Sequence, residues 1–161
     1  MKTITLDERT ADVETPHDFK HELAVLAPIL GRWRVEGTNK SSIAHSADAP
    51  VTGKEIHERM PGEFFIHSCW SHRFEDGRHD GVSIFGYDPV DGSLYARNFD
   101  NLGYARRYEL SVDGRRWTYS GEAERAIQDF GPDGKRFRIR WERLVDGKWL
   151  SLRELVGHRI G

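Results

Sequence analysis

The sequence predicts an all-β fold, a roughly ten-stranded antiparallel up-and-down β-barrel with a short helix capping one end. Three observations predict it. Asp-Gly occurs at Asp76-Gly77, Asp80-Gly81, Asp91-Gly92, Asp113-Gly114, Asp133-Gly134 and Asp146-Gly147, and this dipeptide supplies the positive φ that tight hairpin turns require. The runs between these turns have strand length. One stretch near the N-terminus carries a helical apolar stripe. Closure follows because an open meander would expose two hydrogen-bonding edges; a β-sandwich is the alternative.

Taken in order, residues 1–14 are polar and unpatterned and read as a flexible arm, and 15–161 read as a single barrel domain. Thr15 can cap a helix, Pro16 suits its first position, and Asp18 favours its positive end. Phe19, Leu23, Leu26 and Leu30 then share one helical face, and Pro28 and Gly31 end the helix. Strands are expected over 32–38, 52–60, 63–74, 82–87, 93–99, 104–111, 115–121, 122–128, 135–144 and 148–156. The Ser/Ala-rich stretch 41–50 reads as a long loop, and Met60-Pro61-Gly62 as a turn.

Composition narrows the function classes. The 161 residues suit one domain, with 37% apolar and 31% charged residues. A net charge of −2 provides no basic field for nucleic acid or an anionic membrane. No apolar run approaches the roughly 18 residues that span a bilayer. Cys69 is the only cysteine, and Met1–Thr10 lack a secretory apolar core. Together these lead us to expect a cytoplasmic protein.

Alternation assigns the side chains to faces. Phe137, Ile139 and Trp141 share one face of their strand and Arg136, Arg138 and Arg140 the other, so the aromatic face is expected inside. Tyr104, Arg106, Tyr108 and Leu110 share a face, as do Ala123, Arg125 and Ile127. If their apolar members point inward, Arg106 and Arg125 enter the barrel. There they would pair with Glu58 or Asp100, or with a ligand carboxylate, because a buried guanidinium needs a partner. A one-residue slip would put both outside.

The segment 53–72 is the most unusual. Ile56, Glu58 and Met60 share a face, and so do Phe65, His67 and Cys69 on the next strand. If those faces point inward, Glu58 and His67 meet inside the barrel. The pair is then either a satisfied hydrogen bond or an acid–base pair, with Asp100 as a second candidate carboxylate. Expected ligand contacts are Trp33, Glu58, Phe65, His67, Asn98, Arg106, Tyr108, Trp117, Arg125 and Trp141. No metal is expected: His57-Glu58 lacks a zinc motif, since Pro61 follows, and His67 with Cys69 gives only two ligands. Cys69 is expected to pack as a small hydrophobe.

Several motifs carry a family resemblance. Gly31-Arg32-Trp33 after a short helix resembles the opening of calycin-type barrels, the group of lipocalins, fatty-acid-binding proteins and nitrobindin-like proteins. Pro50 to Glu55, Glu58 to Phe65 with His67, Gly86-Tyr87-Asp88-Pro89, Phe99-Asp100-Asn101, Tyr108-Glu109-Leu110, Gly121-Glu122 and Asp146-Gly147-Lys148-Trp149 resemble a bacterial family of this barrel type whose function is not settled. The similarity spans about residues 17–156. It implies a barrel with an interior cavity and assigns no catalytic residue. Nitrobindin-like relatives bind haem through a C-terminal histidine, and His158 is the only one here, in surroundings unlike that motif.

Three functions follow as expectations. The first is a binding protein for a small amphipathic or anionic molecule, needing no cofactor. The second is a cofactor-independent isomerase, cyclase, lyase or hydrolase that uses an interior His/carboxylate pair. The third is a haem-binding protein. Pairing of two copies into a homodimer through exposed sheet faces stays open.

Overall fold

The computed structural model describes residues 20–40 and 47–161. Ten strands form a closed antiparallel barrel: β1 (Gly31–Asn39), β2 (Ala49–Arg59), β3 (Ile66–Phe74), β4 (Gly77–Asp88), β5 (Ser93–Asp100), β6 (Ala105–Asp113), β7 (Arg116–Ser120), β8 (Glu124–Phe130), β9 (Arg136–Val145) and β10 (Lys148–Arg159). Each strand pairs with its sequence neighbours, and β1 closes the ring on β10, from Trp33 opposite Arg159 to Asn39 opposite Arg153. No strand is left with an open edge, as closure requires.

Turn chemistry fixes most of the hairpins. At the β9–β10 turn Asp146 and Gly147 both take positive φ, 49° and 74°, the paired left-handed geometry that an Asp-Gly hairpin uses. Asp80-Gly81 is an exception to the expected turns, because both residues lie inside β4. Gly81 is there for close approach: a Cβ would stand 2.3 Å from the Trp70 ring and 2.5 Å from the Phe99 carbonyl oxygen. After β2 the chain turns through Met60–Phe65, so β3 begins at Ile66 rather than 63.

The helical segment is a turn of α-helix, α1 (Lys20–Leu23), continuing as 3-10 helix over Ala24–Ile29. Thr15, Pro16, Asp18 and Phe19, like the arm 1–14, lie outside the described residues. Leu23, Leu26 and Ile29 are buried, so the apolar stripe seals the barrel end where β1 starts and β10 finishes. Arg159 locks this cap. It donates to the backbone oxygens of Leu30 and Pro28 and lies 4.3 Å over the Trp33 ring. Inside that end, Trp33, Trp117, Phe130 and Phe137 form an aromatic plug, with Trp33–Phe137 centroids 4.9 Å apart and Trp117–Phe130 centroids 4.7 Å apart.

Candidate functional site

Above the plug lies a cavity of about 350 Å³, within the size range of ligand pockets. Its floor is Ile29, Phe85, Phe137 and Leu155, close to the helix. Asn39, Phe74, Tyr104 and Arg143 line its far side, where β1, β3 and β9 end and β6 begins. The mouth therefore lies at the end away from the helix, between the β1–β2, β3–β4, β5–β6, β7–β8 and β9–β10 connections.

A connected set of polar side chains runs up the wall from His57, level with Gly31 at the helix end, toward the mouth. Glu55 on β2 accepts from His57 Nε2 at 3.2 Å and from His72 Nε2 at 2.8 Å. Burial alone would raise the Glu55 carboxyl, but the hydrogen bonds from His57 and His72 outweigh it and hold the pKa at about 2. Since Glu55 only accepts, a neutral His57 carries its proton on Nε2. Its Nδ1 then accepts from the Ser68 hydroxyl at 2.5 Å. Ser68 is fully buried and does not line the cavity, so it positions the imidazole and is not a nucleophile.

On the opposite side of His72, Arg153 Nη1 stands 3.1 Å from His72 Nδ1 and 3.2 Å from His79 Nδ1. His79 Nε2 in turn lies 3.0 Å from Asp100 Oδ2. Burial, opposed by the hydrogen bond to Asp100, lowers the His79 pKa and keeps its ring neutral. Asp100 is raised by burial, yet hydrogen bonds from His79 and from the backbone N–H groups of Tyr104 and Leu102 lower it overall. Glu124 on β8 completes the set. It accepts from the Tyr108 hydroxyl at 3.0 Å and from Arg143 Nη2 at 2.7 Å. Burial, with Glu124 beside it, pushes the Tyr108 hydroxyl pKa upward, so Tyr108 stays a proton donor.

Arg153 reaches this wall because of a β-bulge. Ser151 is opposite Glu142 on β9, but Arg153 is opposite Trp141. Glu142 faces outward and Trp141 lines the cavity. Without the extra residue Arg153 would share the outward face of Ser151; the bulge turns it inward.

The expected site residues separate into three groups. Asp100, Asn98, Arg106, Tyr108 and Trp141 line the cavity. Trp33 and Trp117 point inward but are fully buried in the plug beneath the floor, away from the cavity. Glu58, His67, Phe65 and Arg125 are on the outer surface, and the interior expected for them is corrected. Glu58 and His67 are indeed cross-strand partners, but the inward pair one step along is His57–Ser68. Phe65 lies in a shallow outer groove with Tyr87, Tyr95 and Arg107. Arg125 hydrogen-bonds Glu142 at 3.1 Å and lies over the Trp149 ring. Cys69 is exposed rather than packed.

These corrections share one cause. The apolar-in rule assigns Ile56, Phe65 and Ile127 to the interior, whereas here the interior positions of β2, β3 and β8 hold Glu55, His57, Ser68, Glu124 and Gln128. A polar interior inverts the reading, and a one-residue inversion flips every side chain. Glu55, His57, His72 and Glu124 were missed for this reason, His79 because Asp80-Gly81 reads as a turn, and Arg153 because the bulge turns it inward; Arg143, on the inward face of β9 with Trp141, was passed over. The usable signal was the spacing of Glu55 with His57, and of Ser68, Trp70 and His72, every second residue on adjoining strands.

The C-terminal histidine expected for haem by the resemblance does not face the cavity. His158 lies on the outer wall, 3.4 Å from Glu36, and does not line the cavity. Among the described residues, the cavity histidines His57, His72 and His79 each have both ring nitrogens within hydrogen-bond distance of a protein group.

No protein-family model and no curated protein matches the chain. Solved structures do match. Rv2717c from M. tuberculosis aligns with a TM-score of 0.61 at 16% identity, covering 86% of this chain and 97% of that one. The S-type phycobiliprotein lyase CPES from Guillardia theta aligns with a TM-score of 0.55 at 12% identity, covering 88% of this chain and 93% of that one. Both fit a calycin-like barrel, and at such identities the likeness is one of fold alone. No described helix is long and apolar enough to cross a membrane.

Proposed function

We propose that this barrel is a container for a small amphipathic molecule. The observation that carries the proposal is the polarity of the cavity along its axis. Its floor is mainly apolar, with Ile29, Phe85, Phe137 and Leu155, and the polar side chains at that depth, His57 and Gln128, are hydrogen-bonded to Ser68 and Tyr119. Its upper wall is hydrogen-bonding and charged, with Asp100, Arg106, Glu124 and Arg153. A ligand with an apolar body and a polar end fits in one orientation, body down and polar end toward the mouth.

The test is binding of the neutral fluorescent amphiphile 1-aminoanthracene. Wild type should enhance its emission saturably. Ile139→Trp, which fills the middle of the cavity wall, should abolish the enhancement while the strand signature in circular dichroism is retained. No enhancement by wild type, or equal enhancement by the folded variant, would contradict the proposal.

A second reading is favoured by one observation, the His79–Asp100 pair at 3.0 Å on the cavity wall. In a cofactor-independent enzyme that pair would do the acid–base work, in place of His67 and Glu58. A neutral imidazole can take a proton at neutral pH, once Arg153 yields His79 Nδ1. His79→Gln should then abolish turnover of a substrate recovered from the cavity while retaining its binding; unchanged turnover would reject the role.

A further inference from the structure

The polar groups of the cavity divide into those already satisfied and those not. Three carboxylates, Glu55, Asp100 and Glu124, face three guanidiniums, Arg106, Arg143 and Arg153. Lys40, at the rim, is paired with Asp48 outside the cavity at 3.6 Å, so with neutral histidines the formal charges cancel. Arg143 donates twice to Glu124, and Arg153 donates to Asn39, His72 and His79. Both are committed to holding the wall together.

Spare capacity lies in one row across three neighbouring strands. Ser83 on β4 is the cross-strand partner of Asn98 on β5, and Asn98 is the partner of Arg106 on β6. All three line the cavity, one step below Asp100. Arg106 lies over the Tyr104 ring and is ion-paired with Asp100 at 3.6 Å and Glu124 at 3.7 Å, but neither carboxylate is within hydrogen-bond reach, so its N–H groups on that side stay available. The Asn98 side chain has no hydrogen-bond partner among the described residues. Ser83 Oγ accepts from Trp70 Nε1 at 3.0 Å, which leaves its own proton to give. Directly opposed side chains on paired strands start about 5 Å apart at Cβ, so a hydroxyl, an amide N–H and a guanidinium can converge on one group.

Ser83 and Arg106 have donors left to offer, and the Asn98 amide can turn its NH2 toward the same point, so the ligand atom complementary to all three is an acceptor. A carboxylate would bring a third negative charge beside Asp100 and Glu124 and tip a balanced wall to net negative. An uncharged carbonyl oxygen accepts the same hydrogen bonds without that cost. We propose that Ser83, Asn98 and Arg106 form a subsite for an uncharged carbonyl group, as in a ketone, ester or amide, on the polar end of the ligand. This rests on the container reading above.

Calorimetry on the full chain with three probes tests it: 4-phenylbutan-2-one, butylbenzene and 4-phenylbutanoate. Wild type should bind the ketone more tightly than the carboxylate. Asn98→Leu and Arg106→Gln should each weaken the ketone about tenfold and change butylbenzene less than about twofold. The C=O stretch of the bound ketone should lie below its value in an apolar solvent and move back up in Asn98→Leu. Asn98 has no partner to lose, so that variant carries the test even where Arg106→Gln fails to fold. Equal weakening of ketone and butylbenzene, or tighter binding of the carboxylate, would overturn the subsite and leave the container standing. If neither the ketone nor butylbenzene binds, the container reading fails and the subsite falls with it.

Discussion

Arg153 and His79 sit on strands that are not neighbours, β10 and β4, yet Arg153 Nη1 stands 3.2 Å from His79 Nδ1. A guanidinium donates and cannot accept, so Nδ1 of His79 carries the lone pair and Nε2 carries the proton given to Asp100. The same logic holds for His72, whose Nδ1 faces Arg153 at 3.1 Å and whose Nε2 faces Glu55. The prediction is that 15N NMR at pH 7 finds both rings neutral and protonated on Nε2. In Arg153→Met the Nδ1 resonances should shift, because their donor is gone. Nδ1-protonated rings in wild type would contradict the arrangement.

Acid should unfold the barrel partly through Glu55. Its folded pKa of about 2 lies below the ordinary value near 4.5, so the unfolded chain takes up the proton first. The stability this contributes is complete above about pH 4.5 and is lost as pH falls toward 2. A depression of that size corresponds to about 3 kcal/mol. His79, also depressed, adds stability that is complete above pH 6.5 and declines as pH falls below it. Denaturant titrations from pH 7 to pH 2 should show both limbs, and Glu55→Gln should remove the lower one. An unchanged lower limb in that variant would assign acid sensitivity elsewhere.

Two buried tryptophans should respond differently to the same change. Trp33 Nε1 donates to the Ile29 carbonyl at 2.7 Å, whereas Trp117 Nε1 is buried with no hydrogen-bond partner among the described residues. Both lose similar ring area on conversion to Phe, but only one loses a hydrogen bond. Trp33→Phe should therefore cost about 1–2 kcal/mol more than Trp117→Phe in urea unfolding. The reverse order would mean that the plug is packed differently.

Outer-surface residues should be silent in binding. Replacing Glu58, His67 and Arg125 together with Ala should leave 1-aminoanthracene affinity within about twofold of wild type, since area lost outside the cavity does not touch the probe. Trp141→Ala, on the cavity wall, should weaken it clearly. A binding loss in the triple variant would return those residues to the site.

The strand plan was readable because turn chemistry is local. Asp113-Gly114 and Asp146-Gly147 mark their hairpins whatever surrounds them, and β9 shows its inward face through Phe137, Ile139 and Trp141. Asp80-Gly81 misled because its glycine makes room for Trp70 across the strand, a reason no local rule contains. The site was less readable for a deeper cause. Deciding which face is interior from apolar content assumes an apolar interior, and β2 and β8 point Glu55, His57, Glu124 and Gln128 inward while Ile56 and Ile127 face out. Arg106 could be given a conditional inward direction because Tyr108 and Leu110 share its face, and Asp100, just past the expected strand 93–99, entered only as its possible partner or as a candidate carboxylate. Arg153 could not, because its direction is set by a bulge that exists only once β9 and β10 pair.

Native mass spectrometry of the protein purified from its own host tests the central claim most directly. The account predicts a mass increment from a small molecule that survives gentle ionisation, disappears on denaturation, and is missing from Ile139→Trp prepared in the same way. The bare polypeptide mass alone for wild type, or an increment carried equally by Ile139→Trp, would contradict it.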